Sequence, residues 1–243
     1  TVINKDKLSA KIKAIVVEAH PDDAALAEGL DVKLARKGVG IVIVTFTDGG
    51  ARFGGQNENL VRQRKQESIN AAKISEAAMV VNLGYPDGEL SSFEPEVAES
   101  FGKVVADINP EFVIAPHEFD EHADHASAFR IAKKTLNGTL PLYTMDTITR
   151  RTKFGESIVP THYFPLSEDE KKVRDDAYLA HESQILDLPP HEMQAVQDVL
   201  DLPQKRGQEI NVPYAGITVK DGGTVSDPIA EILGEEIKVL ELS

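Results

Sequence analysis

Apolar residues in the first two thirds of the chain form short uninterrupted runs that alternate with longer amphipathic stretches. The pattern predicts buried strands at 13–19, 41–47, 79–84, 111–116, 140–146 and 161–166, and helices at 22–38, 58–74, 95–108, 122–137 and 168–186. Strands that are apolar throughout and separated by helices are typical of a parallel sheet covered on both faces. We therefore predict a three-layer α/β fold with a doubly wound, mostly parallel, Rossmann-like sheet.

The pattern loosens toward the C-terminus. Residues 188–203 carry three of the thirteen prolines and are expected to be irregular or short-helical. Residues 208–243 mix short strand signals with a Gly-Gly pair and give no firm prediction. Since no repeat, linker or low-complexity segment divides the chain, we predict a single domain over 1–243 with a C-terminal elaboration at about 185–243.

Composition and charge narrow the class of protein. Hydrophobic residues make up 41% and charged residues 27% of the 243 positions, which is ordinary for a globular protein. Acidic residues outnumber basic ones 40 to 26, and a net charge of -14 disfavours nucleic acid and anionic membranes as partners. No apolar run approaches the ~20 residues that cross a bilayer. The start, TVINKDKLSA, lacks the apolar core of a signal peptide, which predicts a cytoplasmic protein.

Polar residues cluster where the predicted strands end. AHPDD (19–23) follows the first strand, TDGG (47–50) the second, GYPDG (84–88) the third and HEFDEHADH (117–125) the fourth. These loops leave the same edge of a parallel sheet, where ligands bind. Four of the seven histidines lie in two of them. The chain has no cysteine, so a metal ion would be held by histidines and carboxylates.

The spacing of these residues suits a hydrolytic zinc site, which typically needs two histidines, one carboxylate and a position for water. His20 and Asp23 are spaced to face one ion, and a histidine from HADH would complete the set. Asp22 then lies beside the open position, where a carboxylate can accept a proton from water. His122 is placed to meet an oxyanion as an imidazolium, with Asp124 orienting its ring.

AHPDD after a strand and HADH after a later one resemble the motifs (P/A)HPDD and HPDH of the LmbE/PIG-L family of zinc-dependent N-acetylglucosaminyl deacetylases. RKQE (64–67), LGYPDG (83–88), THY (161–163) and HESQ (181–184) also match, so the resemblance spans residues 13 to about 184. It implies an LmbE-like fold with His20, Asp23 and His125 as zinc ligands, Asp22 as general base, His122 as electrophilic partner and Arg64 near the substrate.

The resemblance also implies what the protein binds. The substrate would be a small N-acetylated amino sugar or conjugate, and the ion Zn²⁺, with Fe²⁺ or another divalent metal as the alternative. Relatives often assemble, which makes a homo-oligomer an expectation. Two positions depart from the family pattern: Ala123 replaces the proline of HPDH, and Gly216 stands where the family often has a glutamate. The second departure bears on the substrate pocket rather than on the metal.

Several of these residues also have ordinary structural explanations. Asp48 and Asp87 lie in sequences that are typical of turns. His117 and Asp120 are expected to shape their loop rather than to bind metal. Arg64 could pair with Glu67 or Asp48 on the surface instead of contacting a substrate.

Two other functions remain open at this stage. Two histidines and one aspartate also form the facial triad of non-haem iron oxygenases, although that function leaves Asp22 without a role. A non-catalytic sugar- or nucleotide-binding module is the other alternative. The chain has no G-x-G-x-x-G after the first strand, so the sequence fingerprint of dinucleotide binding is missing.

Overall fold

A computed structural model of the chain describes residues 1–26, 29–52, 55–145, 159–185, 193–210, 212, 215–221 and 226–239. Its strands are β1 (Lys13–Glu18), β2 (Gly40–Thr47), β3 (Ala51–Arg52), β4 (Gly55–Gln56), β5 (Met79–Tyr85), β6 (Phe112–Pro116), β7 (Leu142–Met145), β8 (His162–Pro165), β9 (Ala215–Lys220) and β10 (Lys238–Val239). Its α-helices are α1 (Lys5–Leu8), α2 (Leu30–Arg36), α3 (Glu58–Ile74), α4 (Glu94–Ile108), α5 (Ala123–Leu136), α6 (Glu168–Leu179), α7 (Glu182–Ile185), α8 (Met193–Ile210) and α9 (Pro228–Leu233).

Among the described residues, the main sheet has eight strands in the order β10-β8-β9-β7-β6-β1-β2-β5. The run from β7 to β5 is parallel throughout. At the other end, β9 is antiparallel to both β7 and β8, and β10 is antiparallel to β8. The sheet is therefore mostly parallel, as predicted, and the antiparallel pairs come from the part of the chain where the sequence pattern was weakest.

Helices cover both faces of the sheet, and β1 shows why its sequence is apolar throughout. Ala14 and Val16 pack in a core with residues of α2, α3 and α9. Ile15 and Val17, which point to the opposite face, pack in a second core with residues of α4 and α5. Since both faces of the strand are buried, no polar alternation appears. The predicted three-layer arrangement is confirmed.

The order of the strands places a crevice beside β1. The chain runs outward from β1 to β2 and β5, and then returns to build β6 and β7 on the other side of β1. The connections that follow β1 and β6 therefore diverge. In open α/β sheets this switch point, at the carboxyl ends of the strands, is where ligands bind.

Three predicted segments differ from the structure. The helix expected at 22–38 is a 3₁₀ helix, Asp23–Leu26, followed by α2, and Gly29 between them has φ +86°, which favours glycine. The helix expected at 168–186 is divided into α6 and α7. The irregular or short-helical structure expected at 188–203 is wrong over 193–203, because the 18-residue helix α8 continues through Pro203. Residues 188–192 lie outside the described residues.

Within the described part of the chain, none of the helices combines the length and the apolar character that crossing a membrane requires. The division into one domain with a C-terminal elaboration stays a prediction.

Candidate metal centre

The loop after β1 is a tight turn that fixes the first two predicted ligands. The backbone N–H groups of Asp22 and Asp23 donate to the His20 carbonyl, at 2.7 and 3.2 Å. The Asp23 carboxylate folds back onto the turn, where its Oδ2 accepts from the N–H groups of Ala19 and His20 at 2.8 and 2.9 Å. The other oxygen of Asp23, Oδ1, contacts His125 instead.

The third predicted ligand comes from the first turn of α5. His125 Nε2 lies 3.2 Å from His20 Nδ1 and 3.2 Å from Asp23 Oδ1, and His20 Nδ1 lies 3.7 Å from Asp23 Oδ2. A tetrahedral zinc ion with bonds of about 2.0–2.1 Å holds its ligand atoms about 3.3 Å apart. The donor nitrogens of His20 and His125 are therefore spaced as two ligands of one such ion, and the Asp23 carboxylate lies beside both, with Oδ1 nearer His125 and Oδ2 nearer His20.

Further carboxylates surround the two imidazoles. Asp120 Oδ2 lies 3.1 Å from His125 Nδ1, the ring nitrogen that points away from the other ligands. Asp87 Oδ1 and Asp124 Oδ2 lie 3.2 and 3.4 Å from His20 Nε2. Each ring thus has one nitrogen toward the candidate metal position and the other toward carboxylates, which is the usual arrangement of metal-binding histidines.

This arrangement strongly favours positive charge. Burial opposes charge on the His20 ring, but its contacts with Asp124, Asp23 and Asp87 hold its pKa well above the ordinary value. Burial also opposes charge on His125, but the neighbouring Asp23 and Asp120 raise its pKa to about 10. Without a metal ion the two rings would carry the compensating charge themselves. A bound divalent cation would supply that charge instead.

Asp22, the predicted general base, is held by Arg64. Arg64 is buried on α3, and its Nη2 donates to Asp22 Oδ1 at 2.6 Å while its Nη1 donates to the Gly49 carbonyl at 3.0 Å. Asp48 instead accepts from the Gly50 N–H and from the Gln56 side chain. The structure therefore brings Arg64 to the predicted base rather than to a surface pair with Asp48.

The Asp124 carboxylate differs from the prediction that it orients the His122 ring. It accepts from the N–H groups of Gly88 and Leu90, at 2.8 and 3.1 Å, and faces His20. The reason is geometric: Asp124 lies in the buried first turn of α5, where its side chain meets the loop after β5.

His122 lies at the exposed N-cap of α5, with its ring centroid 4.6 Å from that of His20 and 4.7 Å from that of His125. Its Nδ1 accepts from the Asp124 backbone N–H at 3.2 Å, which places the proton of a neutral ring on Nε2. Burial and the charges of His20 and His125 lower the pKa of His122. The geometry therefore favours a neutral Nε2–H donor over the expected imidazolium.

Three acidic residues at the centre were not predicted to contact the candidate ligands: Asp87 was expected in a turn, Asp120 was expected to shape its loop, and Glu18 had no assigned role. Asp87 and Asp120 contact the metal-facing histidines, and Glu18 is the last residue of β1, two positions before His20. Burial raises the pKa of Glu18 to about 8. An acid inside an apolar strand was a visible signal for Glu18, whereas Asp87 and Asp120 meet their partners only through the fold. His117, as expected, shapes its loop by accepting from the Phe119 N–H.

Two other matched motifs contact each other across the fold. Glu67, the last residue of RKQE, accepts from both the N–H and the hydroxyl of Ser183 in HESQ, at 2.8 and 2.6 Å. In THY, His162 Nε2 lies 2.9 Å from Asp227 Oδ2 at the start of α9. These contacts tie α3 to α7 and β8 to α9.

The fold and the cluster define an α/β protein with a candidate metal centre of two histidines and an aspartate at the switch point of a mostly parallel sheet. The model of one family, GlcNAc-PI de-N-acetylase (PIG-L), matches residues 15–136, from β1 to the end of α5. The chain belongs to this family, which confirms the resemblance seen in its motifs.

Known proteins agree with this assignment. The chain is 29% identical over 123 residues to a diacetylchitobiose deacetylase from Thermococcus kodakarensis; the match covers 48% of this chain and 46% of that protein. The chain thus spans about half the length of this curated relative.

Three solved structures share the fold. An N,N'-diacetylchitobiose deacetylase from Pyrococcus horikoshii superposes with a TM-score of 0.71 at 21% identity, over 91% of this chain and 87% of that one. A conserved protein from Thermus thermophilus has a TM-score of 0.70 at 23% identity, over 89% and 98% of the two chains. A zinc-inhibited form of teicoplanin deacetylase has a TM-score of 0.68 at 15% identity, over 87% and 100%.

Proposed function

We propose that the protein is a zinc-dependent N-deacetylase that removes the acetyl group from a small N-acetylglucosamine-type substrate. The observation that carries the proposal is the convergence of His20 Nδ1, Asp23 and His125 Nε2, with Asp22 next to them in the same turn. Membership of the de-N-acetylase family and a relative named as a diacetylchitobiose deacetylase support the reaction and the sugar class.

The residues present fit a zinc ion. His20, Asp23 and His125 would hold it through two nitrogens and one oxygen, a donor set that suits Zn²⁺ and also accommodates Fe²⁺. When bound, zinc supplies a Lewis acid that polarises the amide carbonyl and makes water more acidic. Asp120, against the far nitrogen of His125, would keep the Nε2 lone pair of that ring directed at the ion.

The chain's own groups would handle the protons and the developing charge. Asp22 would take a proton from the attacking water and return it to the departing amine. Arg64 holds Asp22 Oδ1 at 2.6 Å, so Oδ2 is the oxygen available for that transfer. The Nε2–H of His122 would donate to the oxygen that becomes negative as the amide carbon turns tetrahedral.

The proposal is tested with purified protein of measured metal content and a panel of N-acetylglucosamine conjugates that begins with N,N'-diacetylchitobiose, with acetate release as the assay. We expect Asp22→Asn to keep its metal and to lose turnover by about 10²- to 10⁴-fold, the usual contribution of a general base. Asp48→Asn is the matched control, because Asp48 lies on the neighbouring loop with its own partners. An Asp22→Asn variant with near-normal turnover would refute the role of Asp22.

The same samples distinguish the other two functions. Bound iron with oxygen-dependent turnover would favour a facial-triad oxygenase, and the absence of any bound divalent ion would favour a binding module. The expectations of a cytoplasmic location, of no nucleic-acid or membrane partner and of a homo-oligomer stay predictions.

A further inference from the structure

The strand that leads into the candidate metal centre carries an acidic side chain in its buried part. Glu18 is 2% exposed, and the residues on either side of it, Val17 and Ala19, are apolar and fully buried. A carboxyl group in such surroundings is unfavourable unless hydrogen bonds compensate for the lost water. The contacts of Glu18 therefore show what the side chain does.

Both oxygens of Glu18 accept a hydrogen bond. Oε2 accepts from the hydroxyl of Thr45, its directly paired residue on β2, at 2.6 Å. Oε1 accepts from the backbone N–H of Ala24 at 2.8 Å. Ala24 lies in the 3₁₀ helix that begins at Asp23. The carboxyl group thus joins the sheet to the segment that immediately follows the metal-binding turn.

The bond to Ala24 satisfies a donor that the turn itself leaves open. Backbone N–H groups in the first turn of a helix have no partner within the helix, and this one is buried. On the other side of the turn, the Asp23 carboxylate accepts from the backbone of Ala19 and His20. Together these bonds hold the backbone of Asp23 from both directions.

We infer that Glu18 is a positioning residue for the metal-binding turn: by holding Ala24, it keeps Asp23 Oδ1 at the 3.2 Å distance from His125 Nε2 that a shared ion requires. The inference rests on the proposed function in so far as it assumes that the turn binds zinc. An apolar residue at this position would fill the space but leave the Ala24 N–H without an acceptor, and the turn would relax away from the geometry of the ligands.

The test compares Glu18→Gln and Glu18→Leu in the full chain. Glutamine keeps an acceptor for Ala24 and a partner for Thr45, whereas leucine keeps most of the volume and loses both. We measure zinc affinity by competition with a chelator, and the visible spectrum of the Co²⁺-substituted protein, which reports ligand geometry. Glu18→Gln should retain the zinc affinity and the spectrum of the unmodified protein. Glu18→Leu should bind zinc about 10-fold more weakly or worse, as for other supporting residues of metal sites, with an altered Co²⁺ spectrum.

A control separates positioning from general destabilisation. Val16→Ala creates a cavity on the same strand, in the core of α2 and α3, and should lower the melting temperature while zinc affinity and the Co²⁺ spectrum stay unchanged. An equal loss of zinc affinity in Val16→Ala, or a Glu18→Leu variant with normal affinity and spectrum, would overturn the inference.

Thr45→Val provides a second variant, and the unmodified protein separates this inference from the proposed function. If Glu18→Leu does not fold, Thr45→Val removes one donor at nearly constant volume and should give a smaller loss of zinc affinity; an unchanged affinity overturns the inference. Because zinc binding is read without substrate, an unmodified protein that binds zinc but releases no acetate refutes the proposed function and leaves this test intact. An unmodified protein that binds no zinc refutes both.

Discussion

The sharpest consequence of the metal-centre geometry concerns Asp120, which contacts the ring of one candidate ligand and the backbone of His122. Its Oδ2 lies 3.1 Å from His125 Nδ1, and its Oδ1 accepts from the His122 backbone N–H at 2.7 Å. In the neutral ring, the Asp120 carboxylate beside Nδ1 favours the tautomer with its proton there, which leaves the Nε2 lone pair for the ion. Asp120→Asn should disturb that proton without disturbing the loop.

The size of the effect follows from the two contacts. The asparagine oxygen would remain on the His122 N–H, which turns the amide NH₂ group toward His125 Nδ1. The ring then favours the tautomer with its proton on Nε2, and this proton must be moved before metal binds. Loss of a supporting partner of this kind costs about 10- to 100-fold in metal affinity. This corresponds to about 1.4 to 2.7 kcal/mol.

The assay is zinc competition with a chelator of known affinity, on the unmodified protein, Asp120→Asn and the control Asp176→Asn. Asp176 is a surface residue of α6 that pairs with Lys172, so its substitution should not change zinc affinity. If Asp120→Asn binds zinc as tightly as the unmodified protein, the assignment of Nε2 as the His125 ligand atom, and the supporting role of Asp120, are both refuted.

Two further predictions concern Arg64 and Asp31. In Arg64→Lys, the lysine cannot reach both Asp22 and the Gly49 carbonyl with two parallel N–H groups. We therefore expect kcat to fall by about tenfold with little change in KM. A rise in KM at constant kcat would instead support the substrate contact expected from sequence. Burial raises the pKa of Asp31 to about 6, so folding favours the protonated form of this side chain. The contribution of Asp31 to stability is therefore present below about pH 4 and is lost as the pH rises through 6. Asp31→Asn should therefore raise the free energy of unfolding at about pH 7 by about 2 to 3 kcal/mol, an advantage that shrinks toward pH 4 in urea titrations; a constant difference across this range would contradict it.

The layers and the parallel strands could be predicted because each depends on local patterns. The helix at 58–74 has the predicted bounds, since Asn57 caps its N-terminus through bonds to the next turn. The helix predicted at 22–38 was wrong because its apolar spacing continued across Gly29, where the backbone takes a left-handed conformation. At Pro203 the error was the reverse: a long helix was not expected there, but tertiary packing keeps α8 helical through this residue.

The candidate site was likewise only partly predictable from the sequence. His20, Asp23 and His125 could be proposed from two motifs and the rule that loops meet at one sheet edge. The partners of their rings could not, because Asp87 and Asp120 reach the histidines through the paths of separate loops rather than through spacing along the chain. Arg64 was expected near the substrate, but its distance to Asp22 is set by how α3 packs beside the first turn.

The switch point beside β1 also bears on how the protein resists unfolding. His20 and His125 are separated by 105 positions in sequence, yet their ring nitrogens lie 3.2 Å apart. An ion held between them would act as a removable crosslink that closes a long loop, and closing such a loop restricts the unfolded chain much as a disulfide does. In a protein without cysteine, a bound zinc ion would in this way crosslink the loop after β1 to α5. The melting temperature would then rise with the free zinc concentration.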